Sequence, residues 1–223
     1  MLKKILLTIV IGSFGVTKAQ LFVPSGFIAV RLHQYNLGIH KIELSYDQIE
    51  GSPYANKEFK QAKIAEKYRN ENVRLNIDRD DVEFLDGEKI MVLPKTDEFS
   101  RIKIIPNNEV LVYKDLDADA KKGYYYELVM GKVSLFKKLE LKFSNYEPAQ
   151  TSFKNVTPAT FFQVPPSFFI EKDGKVLKNP KREKEIISLF PDKKNELNKF
   201  FNQNRIRLSK EEDLIKLVAF LNQ

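Results

Sequence analysis

The chain has 223 residues, 37 basic against 30 acidic side chains, and neither cysteine nor tryptophan. Without cysteine it has no disulfides and no thiolate metal site, so the fold must rest on its own apolar core. A net charge of +7 is too small to mark a nucleic-acid binder.

Residues 1–19 read as a secretory signal peptide. Lys3 and Lys4 precede an apolar run over 5–16, and Thr17 and Ala19 are the small residues before a cut ahead of Gln20. The run is shorter than the ~20 apolar residues of a spanning helix, and no later stretch is apolar enough to span. Loss of the leader removes three lysines and lowers the charge to +4. The 13 basic and 9 acidic residues of 171–223 account for that excess, which favours anionic surfaces.

Residues 20–178 read as an antiparallel β domain and 179–223 as a helical tail. Strands are expected at 27–32 and 41–46, on either side of a polar turn at 36–38. His33 and His40 flank that turn, but no third ligand stands at a metal-binding spacing, so neither metal nor cofactor is expected. Gly51-Ser52-Pro53-Tyr54 is a turn, and 55–67 fits neither the helical nor the strand period.

From 72 to 143 apolar and polar residues alternate, the signature of strands with one buried face. Val73, Leu75 and Ile77 face one way, Arg74 and Asn76 the other. Strands at 82–85 and 89–93 join through Asp86-Gly87, read as a type I′ turn. Those at 101–105 and 109–113 flank Pro106-Asn107-Asn108. The last pair, 124–130 and 133–143, flanks Gly131-Lys132, with Gly131 suited to the first position of a type II′ turn. Sequential strands with short turns predict an open meander or a partial barrel.

Tyr124, Tyr125 and Tyr126 are consecutive, so at least one ring leaves the core side and offers a platform for a partner. Asp115, Asp117 and Asp119 resemble the opening of a calcium loop. Ala120 stands where its glycine belongs and Tyr126 where its closing glutamate belongs, so the stretch reads as a solvated loop. Residues 145–167 form a proline-punctuated connection carrying Phe153, Phe161 and Phe162, strapped against the sheet. Asn155-Val156-Thr157 matches a glycosylation sequon, which matters only in a eukaryotic secretory pathway. A last hairpin, 168–171 with 175–177, turns at Asp173-Gly174.

In the tail a helix over 181–190 stops before Pro191, which suits the first turn of the next helix. Leu197, Phe200 and Phe201 give that helix an apolar stripe. Arg205 and Arg207 lie in an extended stretch, 204–208, and join the three tyrosines as candidate partner contacts. Ser209 is expected to cap the last helix in a box with Glu212, and Leu214, Leu217, Val218 and Leu221 form its buried stripe. The fold class is therefore α+β: a predominantly antiparallel β meander followed by a C-terminal bundle of short helices.

The 51–59 opening (Gly51-Ser52-Pro53-Tyr54-Ala55-Asn56-Lys57-Glu58-Phe59), Gly131-Lys132-Val133-Ser134-Leu135 and the closing 210–217 segment resemble a family of small secreted proteins common in Bacteroidetes. The resemblance implies a cell-envelope location and carries no catalytic residue with it. No nucleophile elbow, zinc-protease motif or phosphate loop is present. The expected function is that of an exported non-enzymatic envelope module binding an envelope protein or glycan. The alternative is an envelope hydrolase of glycosidase type, using a carboxylate pair that meets only in space. A barrel embedded in the outer membrane fits poorly, since most strands fall short of ~9–11 residues.

Overall fold

A computed structural model of the protein describes residues 33–37, 40–65, 70–116, 122–147 and 157–223, with side chains from Leu44 onward. The expected leader, the 27–32 strand, Asp117–Asp119 and the asparagine of the sequon lie outside the described residues. Strands β1 (His33–Leu37) and β2 (His40–Leu44) form a separate two-stranded hairpin. The stretch read as a turn is therefore partly strand. Leu37 pairs with His40 and His33 with Leu44, which puts the two histidines at opposite ends of the hairpin.

Ten further strands form one antiparallel sheet. They are β3 (Lys60–Lys63), β4 (Glu71–Asn76), β5 (Asp81–Asp86), β6 (Lys89–Val92), β7 (Arg101–Ile104), β8 (Glu109–Lys114), β9 (Gly123–Val129), β10 (Val133–Ser144), β11 (Thr160–Lys172) and β12 (Lys175–Lys178). Their order is β12-β11-β10-β9-β8-β7-β3-β4-β5-β6, open at both edges. Two meanders are thus joined where β7 pairs with β3. The link 93–100 returns the chain from the β6 edge to the middle of the sheet, and its Leu93 and Phe99 are buried in the core.

Alternation places Val73, Leu75, Val82, Phe84, Ile102, Ile104 and Leu111 in one cluster. The sheet curls, because Asp80 in the β4–β5 turn reaches across to the start of β9. Its carboxylate accepts the Tyr124 N–H at 3.1 Å and the Lys138 ammonium at 3.2 Å. A Cβ on Gly123 would run into both groups, so a side chain there would have to push these two side-chain ends apart.

Strand β11 is far longer than the sequence suggests, since it takes in Pro165 and Pro166. Proline cannot donate to a ladder and is confined to edges and bulges. The β10–β11 register shifts between Lys138 and Glu140, pairing Lys138 with Ser167 but Glu140 with Val164. The two prolines occupy that bulge, which lets the strand continue through them.

Two turn readings also need correction. Asp86 pairs with Lys89, so the loop residues are Gly87 and Glu88, and only Gly87 has positive φ, at 63°. A type I′ turn would need both. Gly131 is not in the left-handed region either, so the expected type II′ turn is absent there. The Asp173-Gly174 turn does have both residues at positive φ, 49° and 75°.

The C-terminal helices are α1 (Glu183–Leu189), α2 (Lys194–Asn204) and α3 (Glu211–Leu221), with a 3-10 turn (Pro191–Lys193) leading into α2 as Pro191 implied. Their stripes meet the sheet. Ile186, Leu197, Phe201, Leu214, Leu217, Val218 and Leu221 pack with Val133, Leu135, Phe168 and Ile170. Helix α3 is not capped by Ser209. Lys210 takes the N-cap position and makes no side-chain capping bond, while the Asp213 carboxylate accepts the Arg207 N–H at 3.0 Å. Among the described residues no helix is long and apolar enough to cross a membrane.

Candidate functional site

The densest polar network lies on the outer face of β4 and β5, where Arg74, Asn76 and Glu83 point away from the core by strand alternation. Glu83 is almost wholly buried, with 1% exposure. It accepts Arg74 Nε at 2.8 Å and Asn76 Nδ2 at 2.9 Å. The Arg74 guanidinium lies 3.7 Å from the Tyr54 ring centroid and 4.4 Å from that of Phe59. It also donates to the Tyr54 hydroxyl at 2.8 Å and to the Lys57 carbonyl at 3.2 Å. Tyr46 donates to Asp78 Oδ2 at 3.0 Å and accepts Asn76 Nδ2 at 3.3 Å. Burial pushes the Tyr54 phenol up to about 12 and raises that of Tyr46 further. This network latches residues 46–59 over the sheet. It is a structural clasp.

The three consecutive tyrosines are not a surface platform. Tyr124 and Tyr126 enter the main core, and burial raises both phenols. Tyr125 points the other way but is fully buried against Val112, Leu116, Phe136 and Phe169, edge-on to Phe169 at 5.2 Å. The Lys138 ammonium sits 4.8 Å above its ring. At β9 both sheet faces are covered, so alternation does not deliver a ring to solvent.

Arg205 and Arg207 are exposed, as a contact role requires. Arg205 ends α2 in the left-handed region (φ 46°), its N–H bonded to the Phe201 carbonyl at 3.2 Å. The following link, with Pro180, Lys181 and Glu183, lines a groove of about 380 Å³ that includes Arg207. Its rims are tied by carboxylates. Glu185 accepts the Lys181 N–H at 2.9 Å and Asp213 accepts the Arg207 N–H. These backbone bonds are the main reason both carboxyl groups titrate below their ordinary values, with neighbouring cations adding to the effect.

A second cleft, of about 440 Å³, opens at the opposite end of α1 and α3, where the β9–β10 and β11–β12 hairpin tips meet the 191–193 turn and the end of α3. Its floor is the buried Val133, Phe190 and Leu221. Lys172 holds its ammonium 4.8 Å from the Phe190 ring centroid. Lys193 donates to the Leu221 carbonyl at 3.2 Å, a cation placed at a helix C-terminus. Lys132, Asp173 and Asp192 complete the rim with Asn222 and Gln223. Sequence reading missed this cleft because its walls come from hairpin tips and helix ends that no spacing connects.

Among the described residues no group of three or more His, Asp or Glu side chains could hold a metal ion. No known protein family, curated protein or solved structure matches the chain.

Proposed function

We propose that the protein is an exported, non-enzymatic cell-envelope module that binds an envelope protein or glycan through its helical end. The observation that carries this reading is the exposed pair Arg205 and Arg207 beside the groove, on a link whose backbone is tied down by Asp213. A tied cationic rim loses little entropy on binding, which favours recognition. Export rests on the leader-like 1–19 stretch. The carboxylates with displaced ionisation, Glu185 and Asp213, are shifted down by hydrogen bonds to their charged forms, the opposite of what a general acid needs.

The test is an affinity pulldown from crosslinked envelope fractions, comparing the wild type with R205E/R207E. A stoichiometric protein captured by the first and lost by the second supports the reading. If no protein is captured, glycan arrays probed with the same two forms must show binding that depends on the arginines, or the reading falls.

A hydrolase is the second reading, favoured by Asp173 and Asp192 lining one cleft. It requires turnover of an envelope polysaccharide that D173N and D192N each abolish.

A further inference from the structure

The cleft at the carboxyl end of α3 plays no part in the contact surface proposed above. We propose that it is a binding site for a small organic anion with an apolar body. Its volume, about 440 Å³, falls within the ~300–1,000 Å³ typical of ligand pockets. Its floor is apolar and aromatic, formed by Val133, Phe190 and Leu221 at 3–5% exposure. Such a floor offers an apolar body a gain proportional to the area it covers.

The sign of the ligand follows from where the charges sit. Lys172 and Lys193 are half-buried and line the cleft from two different elements, one from the sheet and one from the 191–193 turn. Lys172 is held over Phe190, and Lys193 over Phe220 at 6.0 Å. Asp173 and Asp192 are exposed. Ammonium groups set inward act at a lower effective dielectric than carboxylates facing water. Among the described residues no carboxylate stands within ion-pair distance of Lys132, Lys172 or Lys193; Lys193 is held by the Leu221 carbonyl alone, so no side-chain counter-ion competes with a guest. An anionic head between Lys172 and Lys193, with the apolar part on Phe190 and Leu221, satisfies both halves of the site.

Titration of the protein with decanoate, followed by backbone amide NMR shifts, tests this. Inorganic phosphate serves as the head without a body, and 1-decanol as the body without a charge. Saturable decanoate shifts centred on Val133, Phe190 and Leu221 are expected, with phosphate and decanol much weaker. K172Q should weaken decanoate binding about tenfold, the loss of one charge-assisted contact. K132Q, at an exposed lysine, should weaken it less, and K199Q, on α2 away from the cleft, not at all. The inference is overturned if decanoate shows no saturable shifts at these residues. It is equally overturned if decanol or phosphate binds as tightly, or if K172Q and K132Q both bind as the wild type does.

Discussion

Asn222 pairs with Val133 as a neighbouring strand would: its Oδ1 accepts the Val133 N–H and its Nδ2 donates to the Val133 carbonyl, each at 2.9 Å. One side-chain amide thus closes the ladder at the start of β10 and fixes the end of α3 to the sheet. The arrangement also explains Gly131, where a Cβ would stand 2.6 Å from Asn222 Oδ1.

Asn222→Ala should therefore destabilise the protein by about 1–3 kcal/mol, the cost of leaving partly buried backbone groups unpaired. Gly131→Ala should cost a similar amount by pushing the amide away. The two are coupled, so in the Asn222→Ala background the glycine substitution should be close to neutral. Urea denaturation of the four forms measures the cycle, and additive losses would show that Gly131 serves some other purpose.

Glu83 and Arg74 make the second prediction. Their contact is 2.7 Å with the carboxylate 1% and the guanidinium 12% exposed, so neither charge has water to fall back on. Glu83→Ala leaves a cation between two rings without its counter-charge and should cost about 3–5 kcal/mol. The double variant with Arg74→Met should lose less than the sum of the single changes, because the stranded charge is gone. Limited proteolysis should then cut within residues 46–59 first, since that strap loses its anchor.

How much of this was legible beforehand depends on which physical rule governed each element. Alternation at Val73, Leu75 and Ile77 marked the core face correctly, and the i, i+3, i+4, i+7 stripe of Leu214 to Leu221 marked the helix face that packs on the sheet. Both are periodic signals that tertiary packing reinforces. Pro165 and Pro166 misled because local rules exclude proline from strands, whereas the β10 register provides a bulge to hold them. Ser209 misled similarly: the helix starts one residue later than the capping-box pattern implies, with Lys210 at the N-cap. The tyrosine run misled because a strand buried on both faces breaks the assumption of one wet side. Arg205 and Arg207 were legible as exposed cations, but the groove beside them needs Pro180 and Lys181 from another part of the chain.

Alkaline pH should unfold the protein through its buried phenols. The folded pKa of Tyr54 is raised from 10.0 to about 12, and burial raises those of Tyr46, Tyr124 and Tyr126 as well. A raised folded value means the neutral phenol is favoured by folding. That stability is fully present below pH 10.0 and is lost as pH rises through about 12. Phenolate absorbance and far-ultraviolet circular dichroism should therefore change together across that window. Phenolate appearing in a fully folded protein for all four tyrosines would contradict their burial.

Acid acts at the other end of the scale and more locally. Hydrogen bonds to the Lys181 and Arg207 amides hold Glu185 and Asp213 below their ordinary values. A depressed folded pKa contributes stability that is present above the unfolded value and lost as pH falls through the folded one. Both groups are partly exposed on the groove rims, outside the apolar core, so the effect should be confined to those rims and leave the core intact. Once intrinsic exchange rates are divided out, protection of the Arg207 amide should fall as Asp213 protonates, while Leu135 and Ile170 in the sheet stay protected. Asp213→Asn keeps an acceptor oxygen but cannot titrate, so its Arg207 amide should lose that pH step. A wild-type Arg207 amide whose protection is flat across the carboxylate range would mean that Asp213 does not tie the link, and the rim proposed to meet a partner would then be loose.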